Sequence, residues 1–432
     1  MNDRRSNAPL ASASPGIVAE VPAGFFGTKA RHAVPARGVS TRPLRMLVLL
    51  APLLGVAAAL TPQGAVSLPL FARKYGMECS SCHSAAPRLN VFGMHFKQNG
   101  YRLPGTQGES PWDSTAKVFP IALVGNVAYH LKSTNTDQGN GSHERTSFGA
   151  FEQEQVEFHS AGTLAKQVSF HFDNNFAGAG GPLNSGMAFV QYDDLVKDGA
   201  LNFKAGVYDA DTPYLADSRK TTLSEYLSPV TLGAEGFELN GARPNWMYAA
   251  GLINSSRNPD SVAAHKPNSK SFNQLENVYV WVTREIGGHM VTGRVYLDRQ
   301  DPRKAKVASS QHMQAELNAF LDRGRFILVP GYTYEKFQDQ PDGTADRLHT
   351  GLLEATCLLD KSSQWVLTAR LEHQYVPKVN GATGALDRNQ GVMNLAYYVN
   401  PNARFGLDWA HGSDNVRGPV TDDLRGFVWV GY

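Results

Sequence analysis

From Val118 to Tyr432 apolar and polar residues alternate with period two, in runs separated by connections that are alternately short and long. In Trp365-Val366-Leu367-Thr368-Ala369-Arg370-Leu371-Glu372, the residues Trp365, Leu367, Ala369 and Leu371 share one face, and Thr368, Arg370 and Glu372 share the other. Met313 to Leu321 repeats the pattern with Gln314, Glu316 and Asn318 on the polar side, and Ser169, His171 and Asp173 oppose Val168, Phe170 and Phe172. Successive strand side chains point to opposite faces, so these runs predict strands with one apolar and one polar side. About 16 of them begin near residues 118, 148, 165, 185, 199, 232, 245, 274, 287, 309, 324, 346, 362, 389, 402 and 422.

A soluble sandwich would show the same alternation, and the connections separate the two. Asn240 to Asn245, Arg284 to Gly288, Asp322 to Gly324 and Asn400 to Ala403 are tight, whereas Ala210 to Glu235, Asn254 to Gln274, Arg299 to Gln311 and Val376 to Arg388 are long, polar and rich in Gly or Pro. Tight turns on one side and long loops on the other are the pattern of bacterial outer-membrane barrels. The expectation is an all-β fold, a transmembrane antiparallel barrel over residues 117–432 in contact with outer-membrane lipid. An even strand count puts both barrel ends on the short-turn, periplasmic side. The final run, Gly426 to Tyr432, finishes on an aromatic, as such barrels commonly do.

Upstream, Arg42 and Arg45 precede the apolar stretch Met46 to Leu60, with small residues at Ala57 and Ala59. A basic flank and an apolar core of about 15 residues predict a secretory signal over 42–67. That stretch is short for a membrane-spanning helix, which needs about 20 residues. The mature chain is expected to begin between Ala59 and Leu68. Residues 1–41, rich in Ala, Pro, Arg and Ser, read as a disordered or misassigned start. A formal charge of +2 gives no argument for nucleic acid, and the three cysteines leave no disulfide framework.

Between signal and barrel, Cys79-Ser80-Ser81-Cys82-His83 is the attachment signature of c-type haem. Two thiols one turn apart can add to the two vinyl groups, and the adjacent imidazole can serve as the proximal iron ligand. The same pentapeptide can arise by chance or supply part of a zinc site. Zinc, however, needs four ligands, and the only further cysteine, Cys357, stands alone in a strand-like run beside Leu353, Ala355 and Leu359, where a lipid-facing position is expected. The haem segment, 68–116, holds about 50 residues, too few for a cytochrome with its own core. One helix is expected from Pro87 to Asn99, stopping at Gly100. The barrel interior is then the available container for the rest of the haem.

The run Phe71 to His83, followed by Pro87 to Tyr101, resembles the outer-membrane porin-cytochrome fusions, whose best-known members are iron oxidases of iron-oxidising bacteria. The likeness covers roughly 30 residues of motif; the barrel is similar in length and architecture. Where the iron-oxidising members tend to carry Arg-Gln-Thr, this chain has Arg73-Lys74-Tyr75, and Met94-His95 stands where an Arg and a small residue are usual. The resemblance implies one covalent haem c, Fe(II) or another extracellular reductant as donor, and a periplasmic electron carrier such as a soluble cytochrome c as partner.

For the distal ligand, His95 ranks first and Met94 second, because imidazole and thioether are the usual distal groups. Met77 and the lumen-facing His171 are further candidates. Glu154 or Glu157, Asp173, Glu316, Glu354, Glu372, Asp408, Arg294 and Arg370 are expected to line a water-filled lumen. The function expected is an outer-membrane electron conduit, with outward electron delivery, another donor, or a porin carrying a haem plug or sensor as alternatives.

Overall fold

The computed structural model describes residues 70–103, 105–106, 121–137, 142–178, 184–228, 233–255, 277–299, 311–338, 347–376, 386–400, 402–414 and 418–431. The expected start segment and signal (1–67), and the side chain of Glu154, lie outside them.

Sixteen strands close into one antiparallel barrel. They are β1 (Ile121–Asp137), β2 (His143–Ala165), β3 (Val168–Gly178), β4 (Asn184–Val196), β5 (Leu201–Asp209), β6 (Gly233–Arg243), β7 (Trp246–Ser255) and β8 (Asn277–Ile286). There follow β9 (His289–Arg299), β10 (Gln311–Asp322), β11 (Phe326–Gln338), β12 (Arg347–Leu358), β13 (Trp365–Val376), β14 (Leu386–Asn400), β15 (Ala403–Asp414) and β16 (Val420–Gly431). Closure is β16 on β1, from Val420 opposite Asn135 to Gly431 opposite Val124. Every strand starts close to its expected position. The largest difference is β2, expected near 148 and beginning at His143.

The alternation in sequence becomes an inside and an outside. Along β8 the β-branched Val278, Val280 and Val282 are 37, 45 and 40 % exposed, while Tyr279, Trp281 and Thr283 between them are 0, 3 and 0 %. Ile286, Leu317, Phe326 and Leu371 also face outward. A closed barrel pairs its backbone groups between strands, so such an apolar exterior can sit in lipid. No described helix is long and apolar enough to cross a membrane. Turn chemistry agrees: Gly287 and Gly288, both with positive φ (59° and 80°), join β8 to β9 in the two-residue form that matches strand twist.

The interior departs from expectation. Arg294, Glu316, Glu354, Arg370, Glu372, Asp408 and Asp173 do point inward, but they are buried rather than water-facing. Arg294 pairs with Glu316 at 2.5 Å and Arg370 with Glu372 at 2.9 Å. The reason is the connection after β5. Instead of standing outside as a solvated loop, residues 210–228 fold into the bore. Tyr214 donates to the Asn318 carbonyl (2.7 Å), Leu227 N–H to Glu372 (2.9 Å), and the Ser224 hydroxyl and the Leu223 N–H to Asp408 (2.8 and 2.9 Å). Buried carboxylates require such partners, and this segment provides them. Part of the inner wall is apolar as well, with Tyr279, Trp281, Met290, Phe320, Ile327 and Val329 packed in one cluster.

Candidate functional site

The Cys79–His83 run folds as a tight turn tied to its own surroundings. Cys79 to Ser81 form a single 3-10 turn, and Cys82 N–H donates to the Cys79 carbonyl at 3.1 Å. His83–Ala85 then pairs antiparallel with Arg88–Leu89. The expected helix over 87–99 therefore starts late: Arg88 and Leu89 are taken by this small ladder, and α2 runs Val91–Gln98. Asn90 sets the boundary. Its side-chain oxygen accepts Gly93 N–H (2.9 Å) and its amide donates to the Ser80 and Ser81 carbonyls (3.2 and 3.0 Å). One residue thus caps the helix and fastens it to the cysteine turn.

The approach is close. A Cβ on Gly93 would strike the Cys82 carbonyl oxygen, so only glycine lets α2 cross there. The preceding helix, α1 (Leu70–Tyr75), joins through rings: Phe71 stacks on Tyr101 at 4.8 Å and meets Phe96 edge-on at 5.1 Å, and Tyr75 donates to the Tyr101 carbonyl at 2.9 Å. Helices this short are marginal alone. Their stability comes from the barrel.

Barrel contacts anchor the segment at many points. Arg88 makes a buried ion pair with Glu354 of β12. Burial opposes the Arg88 charge, but the Glu354 carboxylate outweighs it and holds the guanidinium protonated. Arg102 pairs with Asp194 at 2.8 Å, Tyr398 donates to the Ala86 carbonyl at 2.6 Å, and Arg404 reaches the same carbonyl at 3.1 Å. Gln98 donates to the Tyr248 carbonyl (3.4 Å) and Lys74 to Thr163 (3.5 Å). Asp194, Tyr248, Thr163, Tyr398 and Arg404 all sit near the ends of strands joined by short turns, so the segment occupies that mouth.

The motif residues present a haem-compatible donor set. Cys79 and Cys82 are free thiols, part-exposed, with burial pushing both above the ordinary cysteine range. His83 Nδ1 lies 3.2 Å from the Pro87 carbonyl oxygen. A carbonyl only accepts, so Nδ1 carries the hydrogen and Nε2 keeps its lone pair. Burial lowers the His83 pKa against backbone contacts at Pro87 and Arg88 that pull the other way, so the ring is held neutral. A neutral imidazole with its outer nitrogen fixed by a carbonyl is the usual form of a metal-binding histidine. Two thiols and this ring fit the covalent haem that the motif implies.

The remaining candidates are scattered. Met94 is buried in the aromatic cluster with Phe96 and Tyr101. His95 turns to the wall, its Nε2 3.1 Å from Glu285 of β8. Met77 donates its N–H to the Ala72 carbonyl. His171 does face the interior, where it meets Tyr101 at 2.6 Å and Asp173 at 3.2 Å. Glu157 faces His159 at 2.9 Å. Sequence reasoning passed over His159, although its alternation within β2 places it inward beside His171. Cys357 lies on the outward row of β12 with the exposed Leu353, as expected.

No family model matches the chain, and no curated protein matches it in sequence. Solved structures do match. The anion-selective porin from Comamonas acidovorans is 9 % identical, with a TM-score of 0.50 over 72 % of this chain and 99 % of that one. The outer membrane channel DcaP of Acinetobacter baumannii is 9 % identical, with a TM-score of 0.50 over 72 % and 97 %. At such identities the likeness is one of fold. The chain is a sixteen-stranded closed antiparallel barrel of the outer-membrane porin type, a fold that supports an outer-membrane location.

Proposed function

We propose that this chain is an outer-membrane electron conduit: a porin-type barrel holding one c-type haem on Cys79, Cys82 and His83 at its periplasmic mouth, linking an extracellular donor, Fe(II) first among them, to a soluble periplasmic cytochrome c. The observation that carries it is the seating of the Cys79–His83 turn inside the barrel mouth, with the His83 Nε2 lone pair left open by the Nδ1 contact to Pro87. When bound, the haem supplies one-electron exchange at its iron.

The chain's own residues do the placing and the insulating. Cys79 and Cys82 anchor, and the Pro87 carbonyl fixes the His83 tautomer. Ala85 packs with Leu358, Val366, Ala396, Tyr398 and Phe427 of the wall, which seats the ladder beside His83 against the barrel. As a second iron ligand besides His83, His95 would be the first candidate and Met94 the next; His95 would be available only if its Glu285 contact broke. Residues 210–228 cover part of the inner wall, where Arg294 and Arg370 are 1 and 0 % exposed, and the porin alternative is separated by the conductance measurement below.

The test is stopped-flow absorbance of the purified chain mixed with Fe(II). Rapid reduction of the haem at acidic to neutral pH, abolished in His83→Ala, is expected, as is peroxidase staining on denaturing gels that Cys79→Ala plus Cys82→Ala removes. Staining that survives the double substitution would sink the haem assignment. A reduction potential far below that of Fe(III)/Fe(II) would instead favour outward delivery, and single-channel conductance at the level of an open porin would favour a plugged or sensing porin.

A further inference from the structure

His159 on β2 lies directly opposite Asp173 on β3, and His171, two residues before Asp173, lies opposite Ala161. The two imidazoles stand edge to face, with ring centres 6.1 Å apart. One ligand atom from each of His159, His171 and Asp173 falls within 4.8 Å of the others. We propose that these three residues bind a divalent first-row transition-metal ion, with Glu157 and Tyr101 as positioning residues, each on the far nitrogen of one ring. The site is separate from the cysteine turn, and it can bind its ion whether or not haem is attached. Its use as a docking position for Fe(II) beside the plug rests on the conduit reading.

The geometry is organised around one carboxylate. Asp173 Oδ1 accepts the Met187 N–H, and Gly186 leaves room for this contact, since a Cβ there would collide with Oδ1. Oδ2 is thereby aimed at both rings, 3.2 Å from His171 Nε2 and 3.9 Å from His159 Nδ1. Glu157 Oε2 is 2.9 Å from His159 Nε2. Donors around a four-coordinate ion, each bonded at about 2.1 Å, stand about 3.4 Å apart. The His171–Asp173 pair already has that separation, and the His159 ring needs a swing on the order of 1 Å to complete it.

Without an ion, burial keeps the Tyr101 phenol protonated, so its O–H donates to His171 Nδ1 and the ring donates Nε2–H to Asp173. With an ion, the ring exchanges tautomer. Nε2 gives its lone pair to the metal, Nδ1–H donates to the Tyr101 oxygen, and no proton leaves the site. A hydroxyl can serve either way, which makes tyrosine a suitable partner for both forms. Two imidazoles and a carboxylate suit zinc, cobalt or Fe(II) rather than calcium or magnesium, which take all-oxygen sets. The side chains of His159, His171 and Asp173 are 27, 12 and 9 % exposed, so an ion can reach them from the lumen.

The experiment is calorimetric titration of the full-length chain, folded in detergent and stripped with chelator, with Zn(II), which is redox-silent and so independent of haem chemistry. One equivalent is expected to bind. His159→Gln plus His171→Gln, which retains polar side chains, should abolish that event while the barrel keeps its folded, heat-modifiable migration on gels. Tyr101→Phe should weaken binding about tenfold, the usual effect of removing a ligand's hydrogen-bond partner. Substituting the half-buried His349 and His411, which lie outside this cluster, should change nothing. Absence of stoichiometric Zn(II) binding, or binding that survives the double substitution, overturns the site. Slow haem reduction by Fe(II) with Zn(II) binding intact would count against the conduit alone.

Discussion

Arg88 of the plug and Glu354 of the barrel wall form an ion pair in which both side chains are closed to solvent, at 3 and 1 % exposure. Tyr226 of the inward-folded segment donates to the same carboxylate at 3.2 Å, and Arg370 stands 3.9 Å from it. Removing one member of a buried pair costs about 3–5 kcal/mol, because the other is left charged without compensation. Arg88→Met should therefore release the plug, seen as rapid proteolysis within residues 70–103 while the barrel remains heat-modifiable. Arg88→Met combined with Glu354→Leu should restore most of the protection. A plug that stays protected in Arg88→Met would show that the aromatic contacts suffice.

Gly93→Ala tests the contact between α2 and the cysteine turn. The added methyl meets the Cys82 backbone, which cannot rotate away as a side chain would. Overpacking of this kind costs about 1–3 kcal/mol. The expected outcome is a lower fraction of chain carrying covalent haem, read from pyridine haemochrome absorbance per barrel, with Ser80→Ala as an unaffected control. Unchanged loading would mean that the turn and helix separate freely during attachment.

The proposal that the short turns face the periplasm makes a topology prediction. Lys361 is exposed between β12 and β13, within the tight run Asp360 to Gln364. Lys361→Cys, in a Cys357→Ser background, should react with a membrane-impermeant maleimide only after the outer membrane is permeabilised. Labelling in intact cells would turn the barrel over and place the Cys79–His83 turn outside.

The same turn carries a pH dependence. Asp360 accepts from the Ser362 hydroxyl and from the Trp365 and Gln364 N–H groups, which hold its carboxyl down at about 2 against 3.8 for a free aspartate. The folded value is depressed, so the stabilisation is fully present above pH 3.8 and is lost as pH falls through 2. Amide exchange at Trp365 should accelerate across that window, and Asp360→Ala should remove the dependence. Identical pH profiles for the two chains would assign the effect to other carboxylates.

The strands were legible because outward valines and leucines against inward polar residues leave a period-two signature, and because Gly287-Gly288 and Asn400 to Ala403 announce their turns. The cysteine turn was legible as a motif. The filling of the bore was not. The composition of residues 210–228 says loop, but nothing local says that Tyr214, Ser224 and Leu227 will point at Asn318, Asp408 and Glu372, since those pairings cross more than a hundred residues. Inward aromatics gave a usable signal: Phe320 and Trp281 sit on faces that should be polar in a wet channel, and each marks a place where something packs. The α2 start was missed for a local reason, since Pro87 suits a helix start and only the pairing of Arg88–Leu89 with His83–Ala85 delays it.

A wall whose charges are already spoken for, with Arg370 bound to Glu372 and to the carbonyls of Ser224 and Glu225, leaves passing solutes little to exchange with.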